Sequence, residues 1–262
     1  MIELIDIGLN LGHRSFEKDR AAVMERAQAA GVGHMIITGT SAAASEAAAA
    51  LARDDRARLS STAGTHPHHA KEFSGATAET IRSLAAREEV VAIGECGLDF
   101  NRNFSTPDDQ RACLRAQLEI AADVQLPVFL HERDAHEALC ELVEPALPRL
   151  AGLVVHCFTG GPEQAERYLA MGAYLGITGW VCDERRGQAL REAVTMIPGD
   201  RLMLETDAPF LTPRDAPKGT PRRNEPAMLP HVLRAVAKLR GQTPEAVAAA
   251  ATANTRRFFG LA

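Results

Sequence analysis

A short apolar run followed by a longer amphipathic stretch recurs eight times along this chain. The runs cover residues 2–7, 34–39, 59–64, 90–95, 127–131, 153–158, 173–178 and 202–207. Between them lie Ala-, Glu- and Arg-rich stretches such as 16–30, 108–123 and 184–196. Near-continuous Val, Ile and Leu marks strands buried on both faces, the pattern of a parallel sheet covered by helices. Eight such units in 262 residues predict an α/β chain folded as a (β/α)8 TIM barrel, a single domain over residues 1–262. A doubly wound open sheet is the structural alternative. No Ser/Gly linker or long charge block suggests a boundary. The segment 209–226 holds Pro209, Pro213, Pro217, Pro221 and Pro226, which excludes a regular helix or strand and marks a long loop of the functional kind.

The formal net charge is −5, from 29 basic and 34 acidic residues. That excludes nucleic-acid binding by bulk charge and leaves room for a local basic track. No stretch reaches the roughly 18 apolar residues of a membrane helix. The opening Met1-Ile2-Glu3-Leu4-Ile5-Asp6 carries acid where a secretory signal carries base. The expectation is a cytoplasmic chain without a membrane partner. Its 5 cysteines include no C-x-x-C pair and read as free thiols.

Polar residues fall where the apolar runs end. Asp6 follows run one, His66 run three, Glu95 run four, His131 run five, His156 run six and Asp207 run eight. In a parallel barrel these positions share the C-terminal face, where active sites are built. Six residues of metal-binding chemistry at one structural position are expected to converge, because imidazole and carboxylate are the usual ligands of Zn, Mn, Mg and Fe. Glu205 lies two residues before Asp207 and shares its strand face, as a metal ligand or a general base next to a second acid. Cys96 and Cys157, adjacent to Glu95 and His156, should point the other way, toward the helices. The loops above these strand ends are basic: Arg133, Arg185, Arg186, Arg214, Lys218, Arg222 and Arg223. A carboxylate-rich metal centre ringed by arginines suits a phosphate ester. Aromatic residues are few, and Trp180 and Phe100 are the nearest candidates for stacking a base.

The chain resembles the TatD family of metal-dependent deoxyribonucleases, within the amidohydrolase-like barrels. The resemblance rests on Gly64-Thr65-His66-Pro67-His68, Ala92-Ile93-Gly94-Glu95-Cys96-Gly97-Leu98-Asp99-Phe100, Val128-Phe129-Leu130-His131, Val155-His156-Cys157-Phe158-Thr159-Gly160, Leu204-Glu205-Thr206-Asp207-Ala208-Pro209 and Arg223-Asn224-Glu225-Pro226. It implies that Glu95, His131 and His156 are metal ligands and that Asp207 is a ligand or general base. It places His66 and Glu205 near the substrate or behind the ligands. The wider family opens with Asp-x-His-x-His, where this chain reads Asp6-Ile7-Gly8-Leu9-Asn10. That loss, together with Trp180-Val181-Cys182-Asp183-Glu184-Arg185-Arg186-Gly187, is similar to the TatD branch proper. The oxygen-rich set points to Mg²⁺, with Mn²⁺ or Zn²⁺ as alternatives. The resemblance implies a monomeric 3′–5′ exonuclease acting on single-stranded DNA and RNA, with a role in DNA repair. Arg133, Arg222 and Arg223 are the candidate phosphate contacts. The alternative function is a small-molecule hydrolase of the amidohydrolase superfamily. Many of those carry a bridging lysine on strand four, where this chain has Glu95.

Overall fold

The protein is described by a computed structural model covering residues 3–216 and 223–261. Eight strands alternate with helices: β1 (Leu4–Leu9), α1 (Arg20–Ala29), β2 (Val32–Ile37), α2 (Ala42–Asp54), β3 (Leu59–Ala63), α3 (Gly75–Ala85), β4 (Val90–Asp99), α4 (Pro107–Val124), β5 (Val128–Arg133) and α5 (His136–Val143). There follow β6 (Leu153–Val155), α6 (Pro162–Ala170), β7 (Tyr174–Ile177), α7 (Gln188–Met196), β8 (Leu202–Leu204), α8 (Leu229–Arg240) and α9 (Pro244–Phe259). The strands form one sheet in chain order, and an isolated parallel bridge between Leu9 and Ala208 joins the first to the last. This is the expected (β/α)8 barrel. Among the described residues, no helix is long and apolar enough to cross a membrane.

The contacts fall into two compact units. One comprises Met1–Ile36, Cys157–Ala170 and Tyr174–Ala262, and the other Ile37–His156 with Met171–Ala173.

In the second unit, local sequence sets the helix starts. The Ser41 hydroxyl accepts the Ala44 N–H at the head of α2. Ser74 and Thr77 form a reciprocal capping box on α3. At α4, Thr106 accepts the Asp109 N–H, Pro107 occupies the first turn, and Asp108 and Asp109 add charge favourable to the helix dipole. Each such cap contributes about 1 kcal/mol. The strands are buried along almost their whole length, with Phe129, Leu130, Val154 and Val155 essentially without exposure.

β4 runs four residues beyond the expected end at Glu95. Residues Cys96–Asp99 keep pairing, Cys96 with Leu130, Gly97 with His131, Leu98 with Glu132 and Asp99 with Arg133. The register shifts between Gly94 and Cys96, so Glu95 is an extra residue in the ladder. Such bulges re-aim a side chain. Two glycines permit it. Gly94 and Gly97 have φ of +145° and +147°, and a Cβ on Gly97 would stand 1.9 Å from the His131 carbonyl oxygen. The chain can therefore bring β4 against β5 at this point only with glycine.

In the first unit, β1 reaches Leu9, so Asp6 is fully buried within the strand, not placed at its end as expected. The helix expected from residue 184 starts at Gln188. The residues before it form a tight turn over Gly179–Cys182, and Asp183 then accepts the Arg185 and Arg186 amides. α8 and α9 each end at a glycine in the left-handed region, Gly241 and Gly260.

Candidate active site

The second unit gathers the predicted imidazoles around a single carboxylate oxygen. Glu95 Oε1 lies 2.8 Å from His131 Nδ1, 2.8 Å from His156 Nε2 and 3.3 Å from His66 Nε2. The ligand atoms of His66, Glu95 and His131 all lie within 4.8 Å of one another. Each comes from a different element. Glu95 is the bulge residue of β4, His131 sits in β5, His156 follows β6, and His66 follows β3 with its amide on the Thr40 carbonyl. Phe129 stacks on His156 at 4.6 Å and 27°, fixing that ring from beneath.

Electrostatics bind the cluster. Burial would raise the Glu95 pKa, but the surrounding His156, His66 and His131 rings hold it well below its usual range. Burial opposes charge on His131, yet Asp99 and Glu95 raise its pKa above the ordinary value. His66 behaves differently: burial pushes it down to about 4, so it is neutral at neutral pH. Its Nδ1 accepts the His68 amide, which leaves its proton on Nε2, facing Glu95. A ring nitrogen that carries a proton has no lone pair for an ion. His66 is thus a hydrogen-bond donor beside the cluster, as the family resemblance implies, although its distance alone would suit a ligand.

Asp99 and His68, which the apolar runs do not single out, complete this part of the site. Asp99 is buried at the end of β4, with His68 Nε2 at 2.6 Å and His131 Nε2 at 3.6 Å from its Oδ2. Burial alone would raise its pKa; His131, the Arg102 amide and His68 hold it well below the carboxylate range instead. Asp99 orients two imidazoles. The signal in the sequence was a second acid four residues after Glu95 in the same motif, hidden because the strand was expected to stop at Glu95.

The first unit holds the predicted acids of strand eight. Asp207 follows β8 with φ +53°, a conformation uncommon for a residue with a side chain. Its amide donates to the Gly8 carbonyl at 2.8 Å, and Asn10 Nδ2 donates to its Oδ1 at 3.3 Å. The family's strand-one histidine position thus carries an amide that holds Asp207. Glu205 is fully buried and accepts the Cys157 amide. A Cβ on Gly176 would lie 2.6 Å from Glu205 Oε1, so that carboxylate needs glycine beside it.

Asp6 accepts hydrogen bonds from the Thr206 amide and hydroxyl and from the Gly8 amide. Burial raises its pKa from 3.8 to about 7; the Thr206 bonds oppose that and the Glu205 charge adds to it. An acid whose folded pKa exceeds its unfolded value stabilises the fold fully below pH 3.8 and loses that contribution as pH rises through about 7. Wild-type thermal stability should therefore fall from pH 5 to about pH 7, by up to about 3 kcal/mol from this residue, and stay level above that. Asp6→Asn should flatten that slope in calorimetric melts. An unchanged slope would show that Asp6 is ionised throughout.

The basic residues part company. Arg133 ends β5, half-buried, with Asp134 Oδ1 4.0 Å from its Nε. Arg223 is already engaged: it donates to Asp19 at 2.7 and 2.8 Å and to the Ser15 carbonyl, and lies over the Phe16 ring at 4.8 Å. It clasps the end of the Pro-rich segment to the chain before α1, so a phosphate there would have to share the guanidinium with Asp19. Arg222 and Lys218 lie outside the described residues. Arg186 lies over Trp180 at 4.9 Å and pairs with Asp183 at 3.0 Å. Cys96 is buried and Cys157 is half-buried with φ +46°.

Comparison with known proteins matches the family model described as TatD related DNase over residues 5–260. The chain is similar to a protein of Erwinia tasmaniensis named 3'-5' ssDNA/RNA exonuclease TatD, 54% identical over 259 residues, covering 98% of this chain and 100% of that one. A protein of the same name in Escherichia fergusonii is 53% identical over 259 residues, 98% of this chain and 99% of that one. Among solved structures, YJJV, a TatD homolog of Escherichia coli k12, superposes with a TM-score of 0.89 at 30% identity, covering 100% of this chain and 99% of that one.

Proposed function

This chain belongs to the TatD family of related DNases, and from that premise we propose that it is a divalent-metal-dependent exonuclease removing nucleotides from the 3′ end of single-stranded DNA and RNA. The observation that carries the reading is the gathering of His131 and His156 on the buried Glu95 carboxylate. His131 Nε2 is also buried without a hydrogen-bond partner. Buried imidazoles on a buried carboxylate fit a divalent ion by donor chemistry. Glu95, His131 and His156 would hold it, with Asp207 as a further ligand or as the base. Bound there, such an ion supplies Lewis acidity toward a phosphoryl oxygen and acidity to water. With two imidazoles and the rest oxygen, Mg²⁺ is the working ion we assign, and Mn²⁺ or Zn²⁺ would bind the same donors.

The chain's own residues do the remainder. Asp99 holds the His68 ring and steadies His131, as outer partners of ligating imidazoles do. His66, neutral and with its proton on Nε2, donates to Glu95 and holds that carboxylate in place. Arg133 pairs with a non-bridging oxygen. Asp207 takes the proton of the attacking water, and Glu205 fixes the turn at Cys157. The enzyme acts as a monomeric single-domain catalyst in the cytoplasm, in repair of DNA ends. The relatives' names support single-stranded DNA and RNA as substrates over the small molecules of the wider superfamily.

The test is digestion of 5′-labelled and 3′-labelled single-stranded oligonucleotides with Mg²⁺ or Mn²⁺. A ladder shortening from the 3′ end, abolished by a 3′ block, is expected. Hydrolysis of small esters with intact oligonucleotides would overturn the reading.

A further inference from the structure

Among the described residues, the large apolar side chains that stand open to solvent are Phe104 and Phe210, 57% and 51% exposed. Phe104 begins a row of rings. It meets His68 edge-on with centroids 4.7 Å apart at 73°, His68 meets His66 at 4.2 Å and 74°, and His66 meets His131 at 4.4 Å and 63°. The row leads from solvent to the Glu95 cluster.

The loop that carries Phe104 is tightly fixed. Asp99 Oδ1 accepts the Asn101 and Arg102 amides. Asn103, at φ +49°, donates its side-chain amide to the Phe100 carbonyl. Ser105 donates to the His68 carbonyl and accepts the Lys71 amide, and Gln110 Nε2 donates to the Ser105 carbonyl. An apolar ring on so rigid a loop uses its edge on His68 and leaves a face to water. That arrangement adds little to a core. It is what a pre-organised aromatic contact needs, since little rotational freedom remains to be lost on binding.

Building on the nuclease reading, we propose that Phe104 is the platform on which the base of the 3′-terminal nucleotide stacks while its phosphate meets the cluster. A purine or pyrimidine offers a π-face whatever its identity, so stacking selects for an unpaired end and not for a sequence. A terminal base in a duplex is held by its pairing partner and its inner neighbour, so it is not free to turn onto the ring while its phosphate meets the cluster. The platform accounts for acceptance of both DNA and RNA, because a ring face does not read the sugar.

The experiment compares an oligonucleotide ending in an ordinary nucleotide with one ending in an abasic residue. For the wild-type enzyme, KM for the abasic end should be roughly 5- to 150-fold higher, the worth of one stacked base. In Phe104→Leu, which keeps an apolar chain without a π-face, that ratio should fall to near one with kcat for the ordinary end largely kept. Phe104→Trp should restore it. A terminal 2-aminopurine should be quenched on binding to wild type and to the Trp variant, and not to the Leu variant. If the Leu variant keeps the wild-type ratio and the quenching, Phe104 is not the platform. If both substrates lose the same factor, Phe104 only supports His68, and the proposal again falls. A wild-type protein that cuts neither oligonucleotide defeats the nuclease reading, and the 2-aminopurine quenching then decides the platform by itself.

Discussion

Glu95→Gln yields a folded protein that neither holds a divalent ion nor cuts DNA. The side chain is buried and receives His131 and His156 at 2.8 Å each. An amide has one oxygen and no charge, so it cannot replace a ligating carboxylate. The rate should fall roughly 10³-fold or more, corresponding to the several kcal/mol that a metal ion contributes. Affinity for Mn²⁺, measured by titration calorimetry, should fall by more than the roughly 10- to 100-fold that follows loss of an outer partner. Circular dichroism should be unchanged, because the strands rest on apolar packing. His66→Ala supplies the contrast. If its ring is a donor to Glu95 and not a ligand, the variant still binds Mn²⁺, with a loss of no more than the roughly 10- to 100-fold of an outer partner. A His66→Ala protein without ion affinity would place His66 among the ligands.

Asp207→Asn should slow turnover by roughly 10²- to 10⁴-fold, the range of a positioned general base. The neighbouring geometry supports a functional role. A residue with φ +53° is held in a sparsely populated conformation by its amide bond to Gly8, and its carboxylate is steered by Asn10. The asparagine tolerates that backbone conformation well, so the fold should survive and the loss should fall on chemistry. Because a base must be ionised to work, wild-type kcat should rise along an acid limb that is absent in the variant. A variant with wild-type turnover would place proton transfer elsewhere.

Much of this was legible in the sequence, and the failures have physical causes. The apolar runs located all eight strands because strands buried on both faces leave a compositional trace. Their ends were less legible. Sequence ends β4 at Glu95 because a carboxylate usually marks exposure, yet here burial is sustained by imidazoles that come from distant positions in the chain. That error hid Asp99, and with it the anchoring of His68. The end of β1 is hidden for a similar reason: Asp6 reads as terminal, whereas Thr206, 200 residues on, supplies its hydrogen bonds. Arg223 reads as a phosphate contact in any basic loop. Only the fold reveals Asp19 opposite it. Three-dimensional partners of charged residues leave no local pattern.

The extra residue in β4 also decides what kind of ligand the site presents. Aligned residues of parallel strands point to the same side. With the bulge, Gly97 lies beside His131 and Cys96 beside Leu130, on the opposite face of the strand, where Cys96 is fully buried with its thiol held neutral by that burial. In a ladder without the insertion, the residue beside His131 would be Cys96. A thiolate would then stand among the imidazoles, drawing soft ions and exposing the centre to oxidation. One inserted residue thus keeps the Cys96 sulfur away from His131, which the bare motif Gly94-Glu95-Cys96-Gly97 would not suggest.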